Sequence, residues 1–219
     1  MSHARLLVIA VCTTLAMAPA AHAATLEASA ACFQAGGDVV VAGAGFTPKN
    51  VITVARDGTN IGTAVADGNG AFRNKFTTPK LSGGVHEAIY DLVATDGANT
   101  AITRYRATQV IAGFTPRTGN PSTLRVRFDV YGFGLFKRKA KVYLHYVRPN
   151  GKVRSSIYLG TASGTCGHIR RTSRRLLFPF SPERGRWTLQ FDTRKYYAKP
   201  RANSRFAWVR KPVQVFSQG

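Results

Sequence analysis

The stretch Lys141–Leu159 constrains the fold of this chain more than any other part of the sequence. Val142, Leu144 and Tyr146 recur at every second position, which is typical of a β-strand with one buried face. The following pair Asn150-Gly151 favours the positive φ angles of a tight turn between antiparallel strands. Because no part of the chain shows a clear helical period, the sequence predicts an all-β protein.

Turn residues also divide the first half into short strands. About seven apolar or alternating runs lie between residue 38 and residue 105, and turn signals separate them at intervals of roughly 8 to 12 residues. Many short strands at this spacing are typical of a β-sandwich. The sequence therefore predicts a sandwich in the first half.

The second half repeats this plan with longer loops. Several turn motifs recur in the same order and beside corresponding strands, which indicates a divergent tandem repeat. The matched pairs are Gly45-Phe46 with Gly132-Phe133, Asp57-Gly58 with Asn150-Gly151, Asn69-Gly70 with Cys166-Gly167, and Gly84-Val85-His86 with Gly185-Arg186-Trp187. We therefore expect a second β-sandwich after the first.

Three of these motifs carry a resemblance to a known family. Gly43–Pro48, Asp57-Gly58 and Ala66–Phe72 resemble the immunoglobulin-like modules of secreted bacterial surface proteins, of the IPT/TIG type. The resemblance covers the first half, and the second half shares its plan. It implies two tandem immunoglobulin-like β-sandwich domains, over residues 24–107 and 108–219. Such modules serve as spacers, adhesive units or accessory binding domains.

The first 23 residues have the pattern of a secretory signal peptide. Arg5 precedes the apolar run Leu6–Val11, and Ala21-His22-Ala23 has the small-x-small form of a cleavage site. We therefore expect a secreted, extracellular protein, either free or associated with the cell envelope. The mature chain keeps Cys32 and Cys166, and in an oxidising compartment this pair favours a disulfide. Two free thiols, or pairing between molecules, are the alternatives.

Positive charge is concentrated in the second half. Residues 108–219 contain 23 of the 31 Lys and Arg but three of the ten acids, a net charge of +20, whereas residues 24–107 contain seven of each. Such a contrast predicts that the two halves have different roles. The charge gathers in three basic clusters: the first is Lys137, Arg138, Lys139 and Lys141; the second is Arg170, Arg171, Arg174 and Arg175; the third is Arg194, Lys195, Lys199 and Arg201.

The second half shows no pattern for catalysis or for a metal site. Its acids are predicted on outer strand faces or in a loop, and they are Asp129, Glu183 and Asp192. Cys166 and His168 are too close for the usual nucleophile–base pair and too few for a zinc site. A serine paired with His86 or His145 would lack the Gly-x-Ser-x-Gly elbow. We therefore expect a non-enzymatic protein with no cofactor and no metal.

The basic clusters remain as the candidate binding residues. Arg and Lys suit phosphate, sulfate and carboxylate groups, and Tyr196 and Tyr197 beside the third cluster could stack on bases or sugars. A charge of +20 on one small domain exceeds what solubility requires. The sequence therefore favours binding to an anionic polymer: a teichoic-type phosphate polymer, an acidic polysaccharide or extracellular DNA.

Two other functions stay open at this point. In one, the protein is structural or adhesive, has a protein partner, and its charge is incidental. In the other, an accessory or catalytic domain acts on a neutral glycan and uses Tyr196, Tyr197 or Trp208 as stacking platforms. Trp187 and Trp208 are expected in the core, because both lie in strands with apolar alternation.

Overall fold

The computed structural model describes residues 23–170 and 172–216. The predicted signal peptide, up to residue 22, and Arg171 of the second basic cluster lie outside the described residues. Within them every regular element is a β-strand, which confirms the all-β prediction. The described residues contain no helix with the length and apolar character needed to span a membrane.

The first half contains eight strands in two sheets. The strands are β1 (Thr25–Ala28), β2 (Cys32–Gln34), β3 (Asp38–Ala44), β4 (Val51–Arg56), β5 (Thr59–Val65), β6 (Phe72–Thr77), β7 (Glu87–Thr95) and β8 (Thr100–Thr108). One sheet has the order β1-β3-β6 and the other β2-β8-β7-β4-β5. All pairs are antiparallel except β2 with β8.

The described part of the second half contains seven strands, again in two sheets. They are β9 (Ile111–Thr115), β10 (Arg125–Tyr131), β11 (Lys141–Val147), β12 (Val153–Thr161), β13 (Arg175–Leu176), β14 (Gly185–Asp192) and β15 (Trp208–Val215). One sheet has the order β13-β10-β9 and the other β12-β11-β14-β15. All of these pairs are antiparallel.

Both halves have the strand order of an immunoglobulin-like sandwich, in which strands A, B and E form one sheet and C, F and G the other. In the first half β1, β3 and β6 take the positions of A, B and E, and β4, β7 and β8 those of C, F and G. In the second half β9, β10 and β13 correspond to A, B and E, and β11, β14 and β15 to C, F and G. The predicted immunoglobulin-like fold is confirmed.

Buried apolar side chains form two clusters, one within residues 26–107 and the other within residues 112–215. In the second cluster every second residue of β10 is buried, namely Val126, Phe128 and Val130, and Trp187 of β14 is 1% exposed. Trp208, however, is 36% exposed, so its predicted place in the core is wrong. The β15 side chains that pack in or on the core are Val209, Val213 and Val215, and the alternation places Trp208 on the opposite face.

Matched turns of the two halves have the same backbone contact. The N–H of Phe46 donates to the carbonyl of Gly70 (3.1 Å), and the N–H of Phe133 donates to the carbonyl of Gly167 (2.9 Å). Gly70 and Gly167 have φ angles of 75° and 74°. A Cβ on Gly167 would lie 2.2 Å from the backbone nitrogen of Gly134, so no larger residue fits without movement of the chain. These contacts explain why the motif recurs in the sequence.

A disulfide joins the two halves. It links Cys32 on β2 to Cys166 in the turn between β12 and β13, 134 residues further along the chain. Near this bond, Glu87 of the first half accepts a hydrogen bond from Arg106 at 2.7 Å and lies 3.9 Å from Nδ1 of His168. The junction of the two halves therefore combines a covalent bond with a close approach of Glu87 to His168.

Candidate functional site

The first basic cluster lies in the loop between β10 and β11 and at the start of β11. All four of its members are exposed: Lys137, Arg138, Lys139 and Lys141. Lys139 has a φ of 51°, and Lys49, at the matching point of the first half, has a φ of 62°. After Lys139 the carbonyl of Ala140 accepts a hydrogen bond from the N–H of Ala162 (2.8 Å). The backbone of this loop is therefore fixed while its cations face solvent.

The third cluster lies in the loop of residues 193–207, between β14 and β15. Its exposed members are Arg194, Lys195, Lys199 and Arg201. Two cations lie over aromatic rings of the same loop: Arg194 is 5.5 Å from the centroid of Phe206, and Lys195 is 5.4 Å from that of Tyr196. Tyr196 is 76% exposed. Tyr197 is half-buried and packs edge-on against the ring of His145 at 5.7 Å, so Tyr196 is the one of the pair that is open for stacking.

Four polar side chains on the outer face of the sheet, three of them buried, anchor this loop. We call Ser156, His145, Asp192 and Gln190 the anchor network. Asp192 accepts hydrogen bonds from the N–H of Arg194 (2.8 Å) and from Nε2 of Gln190 (2.7 Å). Gln190 also donates to the carbonyl of Ala198 (2.9 Å). His145, Asp192 and Gln190 have no exposed surface, because the loop covers them. The network therefore holds the third cluster against the sheet.

The anchor network contains a Ser–His–Asp chain of hydrogen bonds. Nδ1 of His145 lies 2.6 Å from Oγ of Ser156, and Nε2 lies 3.2 Å from Oδ1 of Asp192 and 3.1 Å from the carbonyl of Arg194. In a catalytic triad the histidine must also pass a proton to the leaving group of a substrate. His145 is completely buried and both of its nitrogens are engaged. The chain is therefore suited to holding the loop rather than to activating Ser156.

Sequence reasoning missed this network. It placed Asp192 on an outer strand face, which is correct, but an outer face was expected to be solvated. The signal that could have revealed it is the polar set on β11, β12 and β14, where His145 lies opposite both Ser156 and Gln190. Neighbouring strands that present polar side chains at one level suggest a shared network.

The second cluster lies in the irregular segment between the bridge at Ile169 and β13, and this segment runs beside β10 at the edge of the sheet. Arg170 and Arg174 are exposed, whereas Arg175 is half-buried within β13, where it lies opposite Val126. The guanidinium of Arg175 reaches across to the carbonyl of Tyr158 on the facing sheet, at 3.5 Å. This cluster therefore forms a strip along one side of the sandwich.

Antiparallel pairing brings the first and third clusters to the same end of the second half. The strand β11 begins opposite the end of β12 and opposite the end of β14. The loops that precede β11 and follow β14 are therefore neighbours. Ile169 bridges Val130 near the end of β10, which brings Arg170 to this end as well. Arg174 and Arg175 lie further along the edge.

The balance of charge differs between the halves. Ion pairs of the first half include Lys75–Asp38, Arg104–Asp91 and Arg106–Glu87, whereas the second half has 23 Lys and Arg against three acids. In the second half, Asp192 is buried in the anchor network. No group of three or more His, Cys, Asp or Glu in the described parts of the chain could hold a metal ion. The second half therefore presents a predominantly cationic surface.

No protein family model matches the chain, and no curated protein matches it. Among solved structures, fibronectin(III)-like modules of CbhA from Clostridium thermocellum are similar over 87% of this chain and 93% of theirs, with 12% identity and a TM-score of 0.31. The human OSCAR ligand-binding domain is similar over 89% of this chain and 98% of its own, with 11% identity and a TM-score of 0.31. Salmonella alpha-2-macroglobulin is similar over 90% of this chain but 15% of its own length, with 12% identity and a TM-score of 0.30.

Proposed function

We propose that this protein is secreted, has no enzymatic activity, and binds anionic polymers of the cell envelope or extracellular matrix through its basic second half. The observation that carries this proposal is the unbalanced charge of that half, 23 Lys and Arg against three acids. Unscreened self-repulsion of this size opposes a compact fold, and a bound polyanion would relieve it. The N-terminal pattern and the disulfide support secretion.

The arrangement of the cations supports one extended surface. The first and third clusters lie at one end of the second half, and the second cluster continues from that end along a sheet edge. Exposed Arg and Lys in such an arrangement can contact successive charges of one chain. The neutral first half would then serve as a spacer or support.

The experiment is a binding titration of the full mature chain with polyglycerol phosphate, an acidic polysaccharide and duplex DNA across a salt series. Release of counterions makes the affinity fall steeply with salt, by about 10³ or more between 50 and 200 mM when six or more charges are engaged. We expect such a fall with at least one of these polymers. A salt-independent affinity, or no binding to any of them, would contradict the proposal.

The role of the second cluster is tested by reversing its charge. Arg170→Glu with Arg174→Glu should weaken binding more than Lys152→Glu with Arg184→Glu, which makes the same change in charge at the opposite end of the sandwich. All four side chains are exposed in the structure. Equal losses from the two double variants would assign the binding to overall charge rather than to this strip.

The alternative of a neutral-glycan module has one specific observation in its favour, the exposed rings of Tyr196 and Trp208. It predicts saturable, salt-independent binding to an uncharged polysaccharide that Tyr196→Ala and Trp208→Ala abolish. Binding to the anionic polymers alone would exclude it.

A further inference from the structure

A cleft of about 800 Å³ lies between the two halves, next to the disulfide. Ala30, Ala31 and Cys32 form its wall on the first half. The opposite wall comes from the loop before β11 and the turn after β12, and it includes Arg138 and Lys139 of the first basic cluster. The cleft is within the size range of about 300 to 1,000 Å³ that is usual for small-molecule sites.

The chemistry of the lining selects an anion. Arg138 supplies a guanidinium fork and Lys139 an ammonium group, and Ser163 and Thr165 add hydroxyl groups. None of the described residues that line the cleft carries a carboxylate. A donor set of guanidinium, ammonium and hydroxyl groups matches a tetrahedral oxyanion such as phosphate.

The shape and composition of the cleft narrow the ligand further. None of the described lining residues is aromatic, so no ring is present on which a base or a sugar could stack. Most of the lining consists of small residues. Duplex DNA, with a persistence length of about 50 nm, is too stiff to bend into a cleft of this size. A thin, flexible chain of phosphate groups needs no aromatic ring for stacking and can bend into the cleft.

The walls of the cleft are held rigidly. The N–H of Gly134 donates to the carbonyl of Cys166 at 3.0 Å, which ties the loop of the first cluster to the disulfide turn. The disulfide ties the same turn to β2 of the first half. A site that is already formed before binding avoids the cost of ordering its walls.

We infer that this cleft seats a segment of a linear phosphate polymer without rings in its backbone, such as polyglycerol phosphate or inorganic polyphosphate. The inference rests on the proposed function and adds to it a specific seat and a ligand class. The first half then takes part in binding, because one wall of the cleft belongs to it. The exposed strip of the second cluster remains available to longer polyanions.

The test compares two ways of disabling the cleft in the full, disulfide-bonded chain. Arg138→Gln with Lys139→Asn removes its cations, and Asn tolerates the positive φ at position 139. Lys152→Gln with Arg184→Gln is the control with the same charge change at the opposite end of the sandwich. Thr165→Trp and, from the facing wall, Ala31→Trp fill the cleft without changing any charge. Both positions are exposed, and melting curves check that each variant folds.

Binding is measured with polyglycerol phosphate, inorganic polyphosphate and duplex DNA. We expect the double variant of the cleft to lose about tenfold or more in affinity for both phosphate chains relative to its control, since charged hydrogen bonds are lost. Either tryptophan should cause a similar loss for the phosphate chains and leave the affinity for duplex DNA unchanged. A preference for one of the two phosphate chains would identify the source of the ligand.

Three outcomes would overturn the inference. If both tryptophan variants bind the phosphate chains as the wild type does, while the wild type still shows salt-dependent binding, the cleft is not the seat and the proposed function stands. An equal loss for DNA and for the phosphate chains would show that the tryptophans act on the outer surface. No salt-dependent binding by the wild type would remove the proposed function and the inference together.

Discussion

At the scale of single residues, one buried carboxylate determines the position of the third basic cluster. Asp192 accepts hydrogen bonds from Arg194 and Gln190 and lies 3.2 Å from His145. The first half uses the same device in its matching loop. There the N–H groups of Thr47 and Asn99 donate to Asp96 and hold the pKa of that carboxyl well below its usual range. In both halves an aspartate holds the loop that follows it: Asp96 lies just beyond the end of β7, and Asp192 is the last residue of β14.

The corresponding variant is Asp192→Ala. It leaves the N–H of Arg194 without its acceptor and removes one partner each from Gln190 and His145, and a loss of about 2 to 3 kcal/mol in the free energy of unfolding follows from the usual cost of such groups. We also expect trypsin to cut the released loop at Arg194 or Lys195 much faster. Glu183→Ala is the matched control, because it removes one acid at an exposed position and should change stability by less than about 0.5 kcal/mol. Equal melting temperatures and equal cleavage rates for the two variants would contradict the anchoring role.

At the scale of turns and strands, two turn glycines are required for different reasons: Gly151 for its positive φ alone, and Gly167 for its positive φ and for the close approach of another backbone segment. Gly151 and Gly167 have similar φ angles, 82° and 74°. A Cβ on Gly151 meets nothing within 4 Å, whereas one on Gly167 would lie 2.2 Å from the nitrogen of Gly134. Gly151→Ala should therefore cost about 1 kcal/mol from backbone strain alone.

Gly167→Ala carries the same strain and also a clash with backbone that has little freedom to move, because the disulfide lies next to it. We expect a loss of about 3 kcal/mol or more. Urea denaturation of both variants, followed by tryptophan fluorescence, measures the difference. Similar losses for Gly151→Ala and Gly167→Ala would show that the close approach of the two turns is dispensable.

The same turns explain how much of the fold the sequence predicts. Glycine at positive φ and alternating apolar residues are local signals, and they are sufficient for the all-β class, the sandwich and the correspondence of Gly70 with Gly167. The contacts by which residues 193–207 cover one face of the sheet are not local, so the sequence does not predict them. His145 and Asp192 are 47 residues apart, and each alternates with core residues in the way that predicts a solvent-exposed side chain. The approach of the second cluster to β10 could not be predicted for a similar reason, since it depends on contacts about 45 residues away.

At the scale of the whole molecule, the two halves differ in how their charge affects stability. Residues 24–107 are neutral, with seven Lys and Arg and seven acids, whereas residues 108–219 carry a net charge of +20. Like charges oppose the compact state, and salt reduces that repulsion. The buried side chains form separate clusters in the two halves, so each core has its own electrostatic environment.

This difference predicts that moderate salt stabilises the second half more than the first. Raising NaCl from about 10 mM to about 150 mM shortens the Debye length from about 30 to about 8 Å. Both tryptophans, Trp187 and Trp208, lie in the second half, so tryptophan fluorescence follows its melting alone. We expect the midpoint of this transition to rise by several degrees, with little change from sucrose at equal osmolality.

A polyanion at low salt should raise the melting midpoint of the second half more than NaCl does, because it binds the folded surface and also screens its charge. If neither salt nor polyanion moves the tryptophan-detected midpoint, repulsion among the 23 cations is too weak to need a partner. The charge would then be a property of a solvated surface. A rise with polyanion that Arg138→Gln with Lys139→Asn diminishes would instead connect the stability of the second half to occupation of the cleft.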